Sequence, residues 1–204
     1  MEKHIVKDVY NAIEGMAEGF YSEKRSRFLS FALPVCSTEE VKEMVGRFKK
    51  QYHDARHVCW AYSLGAEGEC RAWDDGEPSS TAGKPILGQI RVAGVSDVII
   101  IVVRYFGGVE LGTGGLSVAY RRAAADALSH AKLILRTVDT EFTLTCAYED
   151  LDRVLKAIRE SGAKVQECTT DIRCRLRFTI RVNHSDALRR RLEALKSVNF
   201  TLQP

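Results

Sequence analysis

Apolar and polar residues alternate over 10–22 and again over 25–35, and Glu23-Lys24-Arg25-Ser26 separates the two stretches. A period of two predicts a pair of antiparallel strands joined by a tight turn. Ser37-Thr38-Glu39-Glu40 then has capping-box spacing, with Ser37 as N-cap, and Val41, Met44, Val45 and Phe48 mark the buried stripe of a helix. Strands are predicted over 57–63 and 69–73, and the turn-forming residues of Asp74-Asp75-Gly76-Glu77-Pro78-Ser79-Ser80-Thr81 predict a loop between the second strand and a helix over 82–93. Ser80 or Thr81 is expected to cap that helix, with Pro85 in its first turn. Residues 97–105, D-V-I-I-I-V-V-R-Y, are apolar almost throughout, the mark of a central strand covered on both faces. Five glycines follow within nine residues, and a helix is predicted over 115–130.

The pattern changes near Arg136-Thr137. From there the predicted order is strand 141–148, helix 151–161, strand 163–169, strand 172–182, helix 185–197 and strand 200–203, which is the ferredoxin-like β-α-β-β-α-β order. The expectation is an α+β chain of two domains, 1–136 and 137–204. Within 172–182, Ile172, Cys174, Leu176, Phe178, Ile180 and Val182 would point to one side and Arg173, Arg175, Arg177 and Arg181 to the other. A sheet with helices on one face only would leave those arginines on its open side.

Composition adds limits. Of the 204 residues, 45% are hydrophobic and 28% charged, as in globular proteins, and the net charge of +3 is too small to announce a nucleic-acid partner by itself. The opening M-E-K-H-I-V-K-D has no apolar run like a signal peptide, and six cysteines occur without a C-x-x-C, so a reduced, cytoplasmic protein is expected. No apolar stretch approaches the ~20 residues of a membrane-spanning helix. His53-x-x-x-His57-x-Cys59 falls short of a convergent metal set, and no metal or other cofactor is implied.

The glycine run Gly107-Gly108, Gly112-Thr113-Gly114-Gly115 leads from a strand into a helix N-terminus, where unpartnered amides and the helix dipole favour an anion. It lacks the lysine of a Walker A loop and the spacing of a dinucleotide site. Three readings stay open: a bend that serves packing, a phosphate or nucleic-acid-backbone site, and a nucleotide site. Asp74, Asp75 and Glu77 would either accept hydrogen bonds from Arg104, Lys84 and nearby loop amides, bracing the loop, or hold Mg²⁺. Ser79 or Ser80 beside His57 has no G-x-S-x-G elbow to make it a nucleophile. Lys24, Arg25, Arg56, His57, Lys84 and Arg104 complete a candidate phosphate-binding set. The arginines of 173–181 would extend it, because an open sheet of this order is a frequent RNA platform.

K-R-S-R-F at 24–28, D-A-R-H at 54–57, D-D-G-E-P-S-S-T-A-G-K-P at 74–85 and V-V-R-Y-F-G-G-V-E-L-G-T-G-G-L-S-V-A-Y at 102–120 resemble the conserved blocks of the YigZ/IMPACT family. The resemblance implies an N-terminal domain with the fold of the second domain of a small-subunit ribosomal protein, shared with domain IV of the translocation factor and with small-molecule kinases. It implies a C-terminal domain like the ferredoxin-like domains of that elongation factor. Eukaryotic members regulate translation under amino-acid starvation, and the C-terminal region here is that of bacterial members. The expected function is nucleic-acid or ribosome binding with a role in regulating translation, rather than catalysis. The alternatives are a nucleotide-dependent enzyme on the kinase-like domain, with Asp74 or Asp75 on Mg²⁺, and a protein-binding module.

Overall fold

The apolar run ending at Tyr105 becomes the middle strand of a five-stranded sheet, and its residues divide alternately between two cores. The computed structural model describes residues 8–66 and 69–201. Its first elements are β1 (Val9–Ile13), β2 (Ala17–Glu23), β3 (Ser26–Pro34), α1 (Thr38–Gln51), β4 (His57–Leu64), β5 (Glu69–Trp73), α2 (Gly83–Ala93), β6 (Val98–Tyr105) and α3 (Gly112–Ser129). The sheet runs β2-β3-β6-β4-β5, and every neighbouring pair is antiparallel. Val98, Ile100 and Val102 pack with Ile86, Ile90, Ala119 and Ala123 of α2 and α3, while Ile99, Ile101 and Val103 pack with Val41 and Phe48 of α1. Helices on both faces explain why β6 shows no polar alternation.

Three local expectations change. Ser37 Oγ accepts from Glu40 N as a cap should, but Glu40 Oε2 accepts from Cys36 N, so the box closes one residue before the N-cap. Neither Ser80 nor Thr81 caps α2. Its N-cap is Ala82, which has no side-chain acceptor, and the Thr81 hydroxyl donates to the Pro78 carbonyl instead. Helix α3 starts at Gly112 rather than 115, so Gly112, Gly114 and Gly115 form its first turn. Gly112 enters it at φ +70°, in the region where a side chain is strained.

Then follow β7 (Leu133–Thr137), β8 (Asp139–Cys146), a 3₁₀ turn (Tyr148–Asp150), α4 (Leu151–Glu160), β9 (Lys164–Thr170), β10 (Cys174–Arg181), α5 (Val182–Glu193) and β11 (Asn199–Thr201). Residues 202 and 203 of the strand predicted at 200–203 lie outside the described residues, as does most of the N-terminal octapeptide. Contacts group the described residues into two compact units, Tyr10–Arg136 and the residues from Thr137 onward with Asp8 and Val9. In the smaller unit four strands form a sheet in the order β11-β8-β10-β9. Leu144, Leu176 and Phe178 bury against Val154 and Ile158 of α4 and Leu188 and Leu192 of α5. Ile172 does not join them: β10 begins at Cys174, and Ile172 is 95% exposed in the turn before it.

The glycines offer a contrast in tolerance. A Cβ on Gly107 would lie 2.1 Å from the Arg25 carbonyl carbon and 2.3 Å from Ser26 N, both backbone, whereas one on Gly114 meets nothing within 4 Å. Gly107→Ala is expected to destabilise by about 1–3 kcal/mol, as over-packing does, whereas Gly114→Ala should be neutral or stabilise by up to about 1 kcal/mol, since it adds a helix former where there is room for the methyl. Thermal denaturation of the two variants checks this order.

Candidate functional site

The turn between β2 and β3 has two residues, Lys24 and Arg25, with φ of +45° and +65°. A two-residue hairpin matched to strand twist needs φ > 0 at both central positions, and Asn-Gly is the usual solution. Two long cations held there cost on the order of 1–3 kcal/mol each, a strain that clusters at functional sites. Gly107, just past β6, lies against this turn and donates from its amide to Ser26 Oγ at 3.2 Å. Beside it, Arg25, Arg27, Arg56, Asp54, Tyr105 and Phe106 line a cleft of about 630 Å³. Arg27 lies over the Tyr105 ring at 5.1 Å, and the Tyr105 hydroxyl donates to Asp54.

The acidic loop braces this region. One Asp74 oxygen accepts from the amides of Ala82 and Gly83 at 3.0 and 2.8 Å, and the other from Ser80 N at 2.8 Å. A carboxylate eight residues upstream therefore does the work of an N-cap for α2. Asp75 accepts from Val58 N at 2.8 Å and pairs with Lys49 at 2.6 Å. Although partial burial opposes it, these donors hold the Asp75 carboxyl below its ordinary range. His57 Nδ1 donates to the Asp75 carbonyl at 2.8 Å. Among the described residues no group of three or more His, Cys, Asp or Glu is placed to hold a metal ion.

Glu77 lies deepest. Its Oε1 accepts from Arg104 at 2.6 Å and from the Tyr120 hydroxyl at 2.7 Å, and its Oε2 lies 3.8 Å from His57 Nε2. The side chains of Glu77 and Arg104 are 3% and 7% exposed. Cys59 Sγ sits 2.9 Å from the Asp74 carbonyl, and burial pushes both its thiol and the Tyr120 phenol well above their ordinary pKa values. Arg104 Nε, also buried, has no hydrogen-bond partner among the described residues. Arg104 lines a second cleft of about 540 Å³ with Arg56, His57, Glu77, Phe106, Gly112 and Thr113. The N-cap of α3 there is Leu111, whose side chain offers the first-turn amides no acceptor.

The two clefts share Arg56 and Phe106, so Arg25, Arg56, His57, Arg104, Gly112 and Thr113 come together as the sequence suggests. Lys24, Gly114 and Gly115 line a neighbouring recess. Gly107 and Gly108 shape the loop without lining these clefts. Lys84 is exposed on the first turn of α2 and makes no salt bridge to the acidic loop; Lys49, 26 residues from Asp75, takes that place. Phe106, half exposed between the clefts, and Tyr120 carry roles that residue-type reasoning passed over. The spacing of Leu116, Ala119, Tyr120 and Ala123 does put Tyr120 on a buried helical stripe, where its hydroxyl requires a partner.

In the smaller unit, Arg173 precedes β10 and donates to the Ser197 carbonyl. Arg175, Arg177 and Arg181 do share the open face. Their cross-strand neighbours supply acids: Arg177 pairs with Glu167 at 3.3 Å and Glu141 at 4.0 Å, and Arg181 stands opposite Asp139. The stripe visible along one strand is offset at Arg177 and Arg181 by the strands beside it, while Arg175 faces Thr145 and Thr169.

Together these observations define a mixed α+β protein in two units, the larger with a basic, glycine-edged cleft over a buried ionic cluster. A family model described as the Impact N-terminal domain matches residues 24–128. The IMPACT family member YigZ of Escherichia coli (strain K12) is 37% identical over 145 residues, covering 70% of this chain and 71% of that protein. YvyE of Bacillus subtilis (strain 168) is 34% identical over 145 residues, 71% of this chain and 67% of that protein. A crystal structure of a hypothetical protein superposes with a TM-score of 0.74 at 28% identity over 97% of this chain and 98% of that one. The chain belongs to the IMPACT family.

Two measurements probe the site. Glu77→Ala leaves Arg104 buried without its counter-charge and should cost about 3–5 kcal/mol, whereas Tyr120→Phe should cost about 1 kcal/mol; denaturant unfolding compares them. All six cysteines are free. Burial pushes the Cys146 thiol up to about 11 and Cys59 higher, so iodoacetamide near neutral pH should label exposed Cys36 and Cys168 first. Peptide mass mapping reads the order.

Proposed function

We propose that this protein binds RNA of the translation machinery through backbone phosphates held in the twin clefts of the larger unit, and acts there as a regulator of translation. The observation that carries the reading is the convergence of Arg25, Arg27, Arg56 and buried Arg104 on clefts that meet the uncapped N-terminus of an 18-residue helix. Guanidinium forks and helix amides are the donors that phosphate oxygens accept. Arg104 Nε supplies a buried donor with no acceptor among the described residues. Phe106 between the clefts offers a ring on which a base can stack. Membership of the IMPACT family supports the translational context.

In this reading the larger unit has the fold of the second domain of a small-subunit ribosomal protein. The smaller is ferredoxin-like, which its element order and its β11-β8-β10-β9 sheet support. Arg173, Arg175, Arg177 and Arg181 contribute less than the clefts, because Glu141 and Glu167 pair with Arg177, Asp139 faces Arg181 and Arg173 is held by the Ser197 carbonyl. The Asp74 and Asp75 oxygens are engaged by amides and Lys49, which favours bracing over Mg²⁺-dependent nucleotide chemistry.

Ribosome co-sedimentation tests the proposal. The protein should pellet with ribosomes at low salt and leave the pellet as salt rises, since each phosphate contact releases counterions. Arg25→Glu with Arg56→Glu should weaken pelleting by roughly tenfold or more at low salt. Absence from the low-salt pellet, or pelleting indifferent to salt and to both charge reversals, overturns the reading. Stabilisation by Mg²⁺-ATP that Asp75→Asn diminishes would support the enzyme instead.

A further inference from the structure

The face of the sheet that packs on α1 is not wholly covered. On β5, Glu69, Arg71 and Trp73 point outward while Cys70 and Ala72 pack toward the α2 side, and Trp73 stays 51% exposed. A groove of about 570 Å³ runs between this surface and α1. Trp73 stands directly opposite Trp60 across the β4–β5 ladder, and Arg71 opposite Tyr62. The Trp60 and Tyr62 rings are stacked at 5.9 Å with 13° between their planes. Lys42 and Lys49 of α1 form the other wall. The nearby acids are engaged: Glu69 accepts from the Tyr62 hydroxyl at 3.2 Å, and Asp75 pairs with Lys49. Among the described residues no carboxylate lies within salt-bridge distance of Lys42 or Arg71.

We infer that this groove is a binding site for single-stranded RNA, with bases stacked on exposed Trp73 and half-buried Trp60, which Tyr62 backs from the core, and phosphates met by Lys42 and Arg71. Two features select this occupant. The two indoles stand side by side on the sheet wall, with Arg71 beside them and Lys42 on the facing α1 wall, which matches the base-and-phosphate repeat of a single strand. A peptide added along the β5 edge would gain its affinity from main-chain hydrogen bonds and would leave those cations unanswered. A duplex hides the faces of its bases and so cannot stack here. The site shares no residue with the phosphate clefts and stands or falls independently of them.

Trp60 and Trp73 are the chain's only tryptophans, so intrinsic fluorescence reports on this groove alone. Titration with a short oligouridylate should quench that fluorescence, and an RNA duplex of equal length should not. With a labelled oligouridylate followed by anisotropy, Trp73→Ala should weaken binding about tenfold, while Trp73→Phe keeps most of the affinity because a ring remains. The Arg25→Glu, Arg56→Glu variant should retain the quench, so loss of the cleft and loss of the groove give different results. Absence of quenching, equal quenching by duplex, or unchanged affinity in Trp73→Ala overturns the inference. Quenching by polyglutamate but not by oligouridylate also overturns it and assigns the groove to an acidic protein partner.

Discussion

A single buried carboxylate organises the larger unit. Glu77 arrives on a loop between β5 and α2, Arg104 on the last turn of the central strand, Tyr120 on the third helix and His57 at the start of β4. Desolvating a carboxylate and a guanidinium is expensive, and only mutual pairing with further hydrogen bonds offsets it. Glu77 has those bonds on one oxygen, and one Arg104 donor has no partner among the described residues. Four elements must therefore reach their final positions together before either charge is tolerated. The same convergence makes the wall of the second cleft, so site and fold are not separable here.

Much of this was legible in the residues. A β-branched run with no polar interruption could only be a covered central strand, and the alternation around Lys24-Arg25 marked a tight hairpin. The link between Glu77 and Arg104 was within reach because an acidic loop beside a glycine turn needs donors. What escaped was set by distance along the chain. Asp74 caps a helix from eight and nine residues upstream, a spacing no capping motif describes, and Lys49 replaces Lys84 because α1 passes closer to Asp75 than sequence order suggests. The arginine stripe misled for the opposite reason. One strand shows only its own side chains, and the acids that answer Arg177 and Arg181 come from β8 and β9.

The same lesson separates the two faces of the larger unit. Its clefts are marked by basic residues that a linear reading finds easily. Its aromatic groove is assembled from residues unremarkable in sequence, because Trp60 and Trp73 become neighbours only through the β4–β5 register. Indole rings that look like core residues in a strand pattern stay in contact with solvent because β5 is the edge of its sheet and α1 stops short of covering it.

The hairpin of Lys24 and Arg25 has one more consequence. Both residues hold left-handed backbone, and Gly107 presses against Arg25 and Ser26 closely enough to exclude a side chain. The main chain beneath both cations is thereby immobilised when the protein folds. A ligand that meets them finds a preorganised pair of charges, and the entropy that a floppy basic loop would surrender on association has already been lost.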